Sequence, residues 1–244
     1  MSVSARVEGI LTTEDKQDSW YSRRNVASKL SEIILGGQDG LVNVAGVILG
    51  LAAATDETRI IIAGGLAATF AESISMAAVA YTSTLADRDY YQAELEQESA
   101  EIEVDPEAKK SQLVNIFKNW GFSGQLLEKI VDQVSSDKEQ WAAISMANIR
   151  KLQPVSSNGL VFDAFLVGIS AILGSLVPLA PFFFFPSEIA IWIGLALTAI
   201  VLYALGAIKA RLTVGKPYRS GLQMVVIGMV AALAGFVIGL FFRA

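Results

Sequence analysis

Residues 33–54 read Ile33-Ile-Leu-Gly-Gly-Gln-Asp-Gly-Leu-Val-Asn-Val-Ala-Gly-Val-Ile-Leu-Gly-Leu-Ala-Ala-Ala, and the only charge among them is Asp39. An α-helix needs about 20 predominantly apolar residues to cross a hydrocarbon core about 30 Å thick, and this stretch supplies them. Four more stretches do the same. Ile60–Thr84 carries only Glu72, Leu160–Phe185 only Asp163 near its start, and Ile189–Ile208 and Gly221–Phe242 carry no charge. Inside lipid only helices and closed barrels satisfy the backbone, and these runs lack the alternation of barrel strands. The expected fold class is therefore an all-α membrane protein, with five transmembrane helices and a cytoplasmic helical insert between spans two and three.

The rest of the composition agrees. Of 244 residues, 53% are hydrophobic and 18% charged, against about 45–50% and about 25% in soluble chains. With no His and no Cys, disulfide scaffolds, thiolate or imidazole zinc sites and imidazole-based triads are excluded. A net charge of −5 speaks against nucleic acid as a partner, because neutralising phosphates takes clustered Lys and Arg. Residues 1–30 are polar and hold no apolar core of a cleavable signal, so the first span is expected to act as its own insertion signal.

Lys and Arg give the orientation. Five of the nineteen lie in the N-terminal tail, eight between spans two and three, and four after span four; only Arg59 and Arg243 fall on the other side. The N-terminus and the insert are expected to be cytoplasmic and the C-terminus to lie opposite, with the host membrane unassigned. The expected organisation is a cytoplasmic tail over 1–30, spans one and two over 31–86, a helical module over 87–158, and spans three to five over 159–244.

Span two runs into the module without Gly or Pro until Asp105-Pro106, where the residue before proline is steered away from helix. Leu113, Ile116, Phe117 and Trp120 recur at helical spacing up to Gly121. Ser123 is expected to cap a helix bearing Leu126, Leu127, Ile130, Val131 and Val134. Ser136 is expected to cap a last one bearing Trp141, Ile144 and Ile149, closed by Pro154.

Polar residues inside the spans point to function. An ionised carboxylate at mid-span costs about 2.5–3.5 kcal/mol on insertion scales, so Asp39 and Glu72 need a reason to be there. One reading makes each a hydrogen-bonding glue between helices; the other makes them a shared site. At 1.5 Å of rise per residue, Asp39 sits about 9 Å above the cytoplasmic start of span one. Glu72 and Met76, on a span running the other way, come to about 12 and about 6 Å from the same face. Asn43 lies one turn above Asp39, and Glu72 and Met76 share a helix face at i and i+4. Two carboxylates, an amide and a thioether at one depth suit a divalent metal; carboxylates take Mg²⁺, Mn²⁺ or Fe²⁺, and a thioether favours the softer ion. Protons and metal competing for the same carboxylates would couple their movements. No resident cofactor is expected, and Fe²⁺ or Mn²⁺ would be the substrate.

Several motifs in order resemble the vacuolar iron transporter family: Gly37-Gln-Asp-Gly-Leu-Val-Asn-Val-Ala-Gly-Val, Ala63-Gly-Gly-Leu-Ala with Ser75-Met76 and Tyr81, Leu173-Gly-Ser-Leu-Val-Pro-Leu-Ala-Pro, Leu205-Gly-Ala-Ile-Lys-Ala-Arg, and Gly221-Leu-Gln-Met-Val-Val-Ile-Gly. The resemblance covers about residues 30–243. It implies a homodimer with the ion path between the first spans, and export of Fe²⁺, often Mn²⁺, from the cytoplasm in exchange for protons. Asp39 and Met76 match residues that line that path. It also implies metal binding by the insert, through glutamates of its first two helices and a Met and a Glu of its last. Glu98 and Glu101 match the first glutamates and Met146 could stand in for the Met. Lys109, Gln112 and Ile149 fall where further glutamates are expected, and Ala80 where an acidic residue precedes the span-two tyrosine. The insert is accordingly expected to bind metal weakly or not at all, and the acidic run from Glu94 to Glu103 reads equally well as a solvated face.

Two functions from different classes are open: a divalent-metal/proton antiporter, and a non-transporting membrane subunit or scaffold that keeps the fold without the insert's ligands. An enzyme is not expected, since no nucleophile, cofactor loop or phosphate cradle accompanies the carboxylates.

Overall fold

The computed structural model describes residues 30–155, 159–213 and 215–243. The tail expected over 1–30 lies outside them except for Leu30. Helix α1 is Leu30–Ala54, followed by α2 Thr58–Val104, α3 Pro106–Asn119, α4 Gly124–Ser135, α5 Lys138–Ser145, α6 Leu160–Leu179, α7 Ser187–Leu212 and α8 Pro217–Phe241. Among the described residues five helices are long and apolar enough to cross a membrane: α1, α2, α6 with its continuation to Phe183, α7 and α8. This is an all-α integral membrane protein.

The chain divides into two compact units, one holding it up to Ala80 and from Val161 onward, the other Tyr81–Leu160. The division falls within α2, which runs 47 residues without proline. A continuous helix offers no break at which the apolar span stops and the polar insert starts.

In the first unit, glycines let the helices meet backbone to backbone. A Cβ on Gly36 would stand 2.5 Å from the Ser170 hydroxyl and 2.8 Å from the Val167 carbonyl, and one on Gly40 would overlap the Ala171 carbonyl of α6. Two helical turns beyond the middle of α1, a Cβ on Gly50 would stand 3.0 Å from the Gly235 carbonyl of α8. The glycines of α1 thus serve two partners, Gly36 and Gly40 facing α6 and Gly46 and Gly50 facing α8. Close approach through small residues is the usual basis of helix association where lipid supplies no hydrophobic drive. Large apolar side chains such as Phe165, Leu173, Trp192 and Val230 point outward, as expected where the solvent is hydrocarbon. Pro178 lies inside α6, and the chain tightens into a 3₁₀ turn at Ala180–Phe183. Span three therefore finishes its apolar run as a bend.

The second unit is a small helical bundle with Ile102, Leu113, Phe117, Leu127, Val131 and Trp141 at its core. Asp105 closes α2 and caps α3, accepting from the Ala108 amide at 3.0 Å, and Gly121 takes the left-handed conformation just beyond α3, φ 93°. Two expectations need correction. Ser136 does not cap α5: its backbone is still helical, φ −76° and ψ −19°, so it ends α4 instead. Asp137 is extended, φ −115°, and accepts from the Glu139 and Gln140 amides, because a capping residue must leave the helical region. Nor does the last helix continue towards Pro154. It widens into a π turn over Met146–Arg150 and stops where Lys151 turns left-handed, φ 61°. That wider turn leaves Ile149 exposed rather than on the apolar face with Trp141.

Candidate functional site

The structure brings together three of the four polar residues singled out within the spans. The Glu72 carboxyl of α2 is in side-chain hydrogen-bond contact with the Asp39 carboxyl and with the Asn43 amide, both on α1. Asp39 and Asn43 are one helical turn apart, so a single side chain from α2 bridges both. Met76 follows one turn after Glu72, half-buried, with its Cβ on the same helix face.

Packing explains the juxtaposition. Gly36 and Gly40 hold α1 against α6 on either side of Asp39. A Cβ on Gly65 of α2 would lie 3.2 Å from Ile48 of α1, and one on Gly168 of α6 would lie 3.1 Å from the Ser73 carbonyl of α2. Helices α1, α2 and α6 therefore converge around the carboxylates. The nearby hydroxyls make no demand on them: Thr69 donates to the Gly65 carbonyl at 2.8 Å and Ser73 to the Phe70 carbonyl at 3.1 Å, each within α2.

From Asn43 a groove of about 620 Å³ extends between α1 and α8, lined by Gly46, Val47, Gly50 and Ala54 on one side and by Ala231, Gly235 and Gly239 on the other. Along α1 it covers about 16 Å of rise. Its walls are small and apolar, and Asn43 stands both in the groove and in the carboxylate cluster. Among the described residues no three Asp or Glu form a group that could hold a metal ion. One chain thus offers two carboxylates, an amide and a nearby thioether.

The insert's candidate ligands are arranged differently. Glu98 is fully buried, and its two oxygens accept from Lys109 Nζ at 2.7 Å and Arg150 Nε at 3.1 Å. Glu101 accepts from Lys109 Nζ at 2.6 Å, from Arg150 at 3.1 Å and from Gln97 at 2.8 Å. Arg150 also binds Glu94. The bonds from Lys109 and then Gln97 hold the Glu101 carboxyl down to about 2. Burial would lower the Lys109 ammonium, but the bonds to Glu101 and Glu98 outweigh it and raise it above its ordinary value. Met146 is fully buried. The acidic stripe of α2 is therefore an ion-pair network, one cation coming from the start of α3 and the other from the far end of the insert. Sequence reasoning passed over Arg150, although an arginine in the last helical segment facing an acidic stripe is the signal that could have found it.

A bundle of membrane-crossing helices around a carboxylate pair defines an integral membrane protein with an acidic site within its spans. The chain belongs to the VIT family, whose model matches residues 30–240. Among its relatives are vacuolar iron transporter 2 of Oryza sativa subsp. japonica, 28% identical over 84% of each chain, and vacuolar iron transporter 1 of Eucalyptus grandis, 29% identical over 84% of this chain and 83% of that one. Protein CCC1 of Saccharomyces cerevisiae is 28% identical over 85% of this chain and 67% of its own.

Proposed function

We propose that this protein carries Fe²⁺, with Mn²⁺ as a second substrate, out of the cytoplasm in exchange for protons, and that Asp39, Glu72, Asn43 and Met76 form the membrane-embedded site. The observation that carries the reading is the hydrogen bond between the Glu72 and Asp39 carboxyls. In this proposal the two carboxyls share a proton when no cation lies between them. A divalent cation arriving between them displaces that proton, and a proton arriving from the other side displaces the cation. The names of the relatives support iron as the substrate.

Four donors from one chain leave a divalent ion short of the six-oxygen coordination that hard metals favour. Water or a second copy completes it, and the open groove beside Asn43 is where a second α1 would pack. This supports a homodimer with the path between the first spans. The excess of Lys and Arg at the ends of spans one, two and four supports a cytoplasmic N-terminus and insert, with the C-terminus opposite.

The second reading, a non-transporting membrane subunit, is favoured by one observation: the insert's glutamates are taken up by Lys109 and Arg150. Proteoliposomes distinguish the two. Wild-type protein loaded with a pH gradient takes up Fe²⁺, and Asp39→Asn loses at least about tenfold of that rate. Uptake by Asp39→Asn at the wild-type rate defeats the proposed site, and no uptake by wild type favours the scaffold.

A further inference from the structure

Glu94, Glu98 and Glu101 occupy one stripe of α2, at i, i+4 and i+7, where like charges repel one another. Glu98 is nevertheless fully buried, a position that an ionised carboxylate holds only when paired and hydrogen-bonded. Its partners come from two other elements. Lys109, in the first turn of α3 and itself buried, reaches Glu98 and Glu101 with one ammonium at 2.7 and 2.6 Å. Arg150 ends the π turn and spreads its guanidinium over Glu94, Glu98 and Glu101. A π turn inserts a residue into the helical repeat and rotates the residues beyond it by roughly 100°, and this one coincides with the segment that delivers Arg150 to the stripe.

We propose that Lys109 and Arg150 are built-in counter-ions that neutralise this cluster, latching α3 and the last leg of the insert onto α2 and closing the cluster to metal. Both oxygens of Glu98 and both of Glu101 already accept charged donors, so an entering ion finds one oxygen of Glu94 at most. The bare stripe carries three negative charges, and the two cations reduce that to one. Their positive charge is fixed to the chain, so the insert stays assembled whatever the metal concentration. Replacing both cations by neutral glutamine leaves a buried, unpaired carboxylate between two others, and a cation is what that arrangement needs. The latch is independent of transport through the spans.

The test is hydrogen–deuterium exchange on the full-length protein in detergent, with and without MnCl₂. Wild type keeps residues 94–101, 106–119 and 146–153 equally protected in both. In Lys109→Gln/Arg150→Gln the same segments exchange at least about a hundredfold faster without metal, and MnCl₂ restores their protection. Wild-type protection that depends on Mn²⁺ overturns the proposal, as does a double variant that stays protected without metal or stays loose with it. Should the double variant fail to fold, the wild-type comparison still decides, and Lys109→Gln alone repeats the second arm.

Discussion

The Glu72 carboxyl on α2 meets the Asp39 carboxyl on α1 in a direct side-chain hydrogen bond, with the Asn43 amide on the same acceptor group. In the proposed exchange the two acids share a proton, and a metal that binds between them releases it. We expect Mn²⁺ added to the detergent-solubilised protein to release about one proton per ion bound, read with a pH-sensitive dye in weak buffer. Glu72→Gln binds without that release or does not bind. Equal proton release from wild type and Glu72→Gln removes the pair from the exchange reaction.

Helix α6 lies against α1 with no room for a methyl group, since a Cβ on Gly174 would overlap the Gly37 carbonyl. Backbone on both sides cannot give way locally, so Gly174→Ala forces the helices apart at the level of Asp39. Overpacking of this kind costs about 1–3 kcal/mol and should lower the thermal unfolding temperature measured by tryptophan fluorescence. Gly37→Ala is the control, because its nearest neighbour, the Ser170 carbonyl, stands at 3.4 Å. Equal stability of the two variants contradicts the packing argument.

Ion pairs in the insert differ in burial and should differ in worth. Lys109 faces a Glu98 side chain with no exposure, whereas the Lys138–Glu103 pair is 71% and 64% exposed. Removing one partner of a buried pair strands the other charge, at a cost of about 3–5 kcal/mol. Exposed pairs contribute little because water and salt screen them. Lys109→Met should therefore unfold the insert in far less denaturant than wild type, and Lys138→Met should leave it unchanged. A similar loss from both would mean that burial does not govern these pairs.

Acid should loosen the insert in a defined window. The Lys109 and Gln97 bonds hold Glu101 at about 2 in the folded chain, below its ordinary 4.5. A carboxyl depressed by folding contributes stability that is fully present above its unfolded value and is lost as pH falls through the folded one. Protection of residues 94–119 against hydrogen exchange, corrected for the intrinsic rate, should stay level from pH 7 to about 5 and decline from about 4.5 towards 2. Glu101→Gln should flatten that decline, and an unchanged slope in the variant would assign it to other groups.

The sequence by itself determined the spans, because the fit of an apolar run to a bilayer depends only on length along one helix. The level shared by Asp39 and Glu72 was legible for the same reason: fixed rise per residue turns position in the chain into depth. The break at Pro106 and the left-handed Gly121 were likewise local matters of backbone sterics. Only the tertiary structure decided what lies beside what at a given depth. That Glu72 bridges Asp39 and Asn43 depends on how α1 and α2 are rotated about their axes, which glycine contacts with α6 set from more than a hundred residues away in the chain. The choice of Asp137 over Ser136 as a cap turned on one residue's backbone angles, to which both side chains are equally suited in composition. The π turn that presents Arg150 to Glu94, Glu98 and Glu101 left no mark in the apolar periodicity. Such a charge network forms between elements packed together, and the energy that selects it exists only once they are.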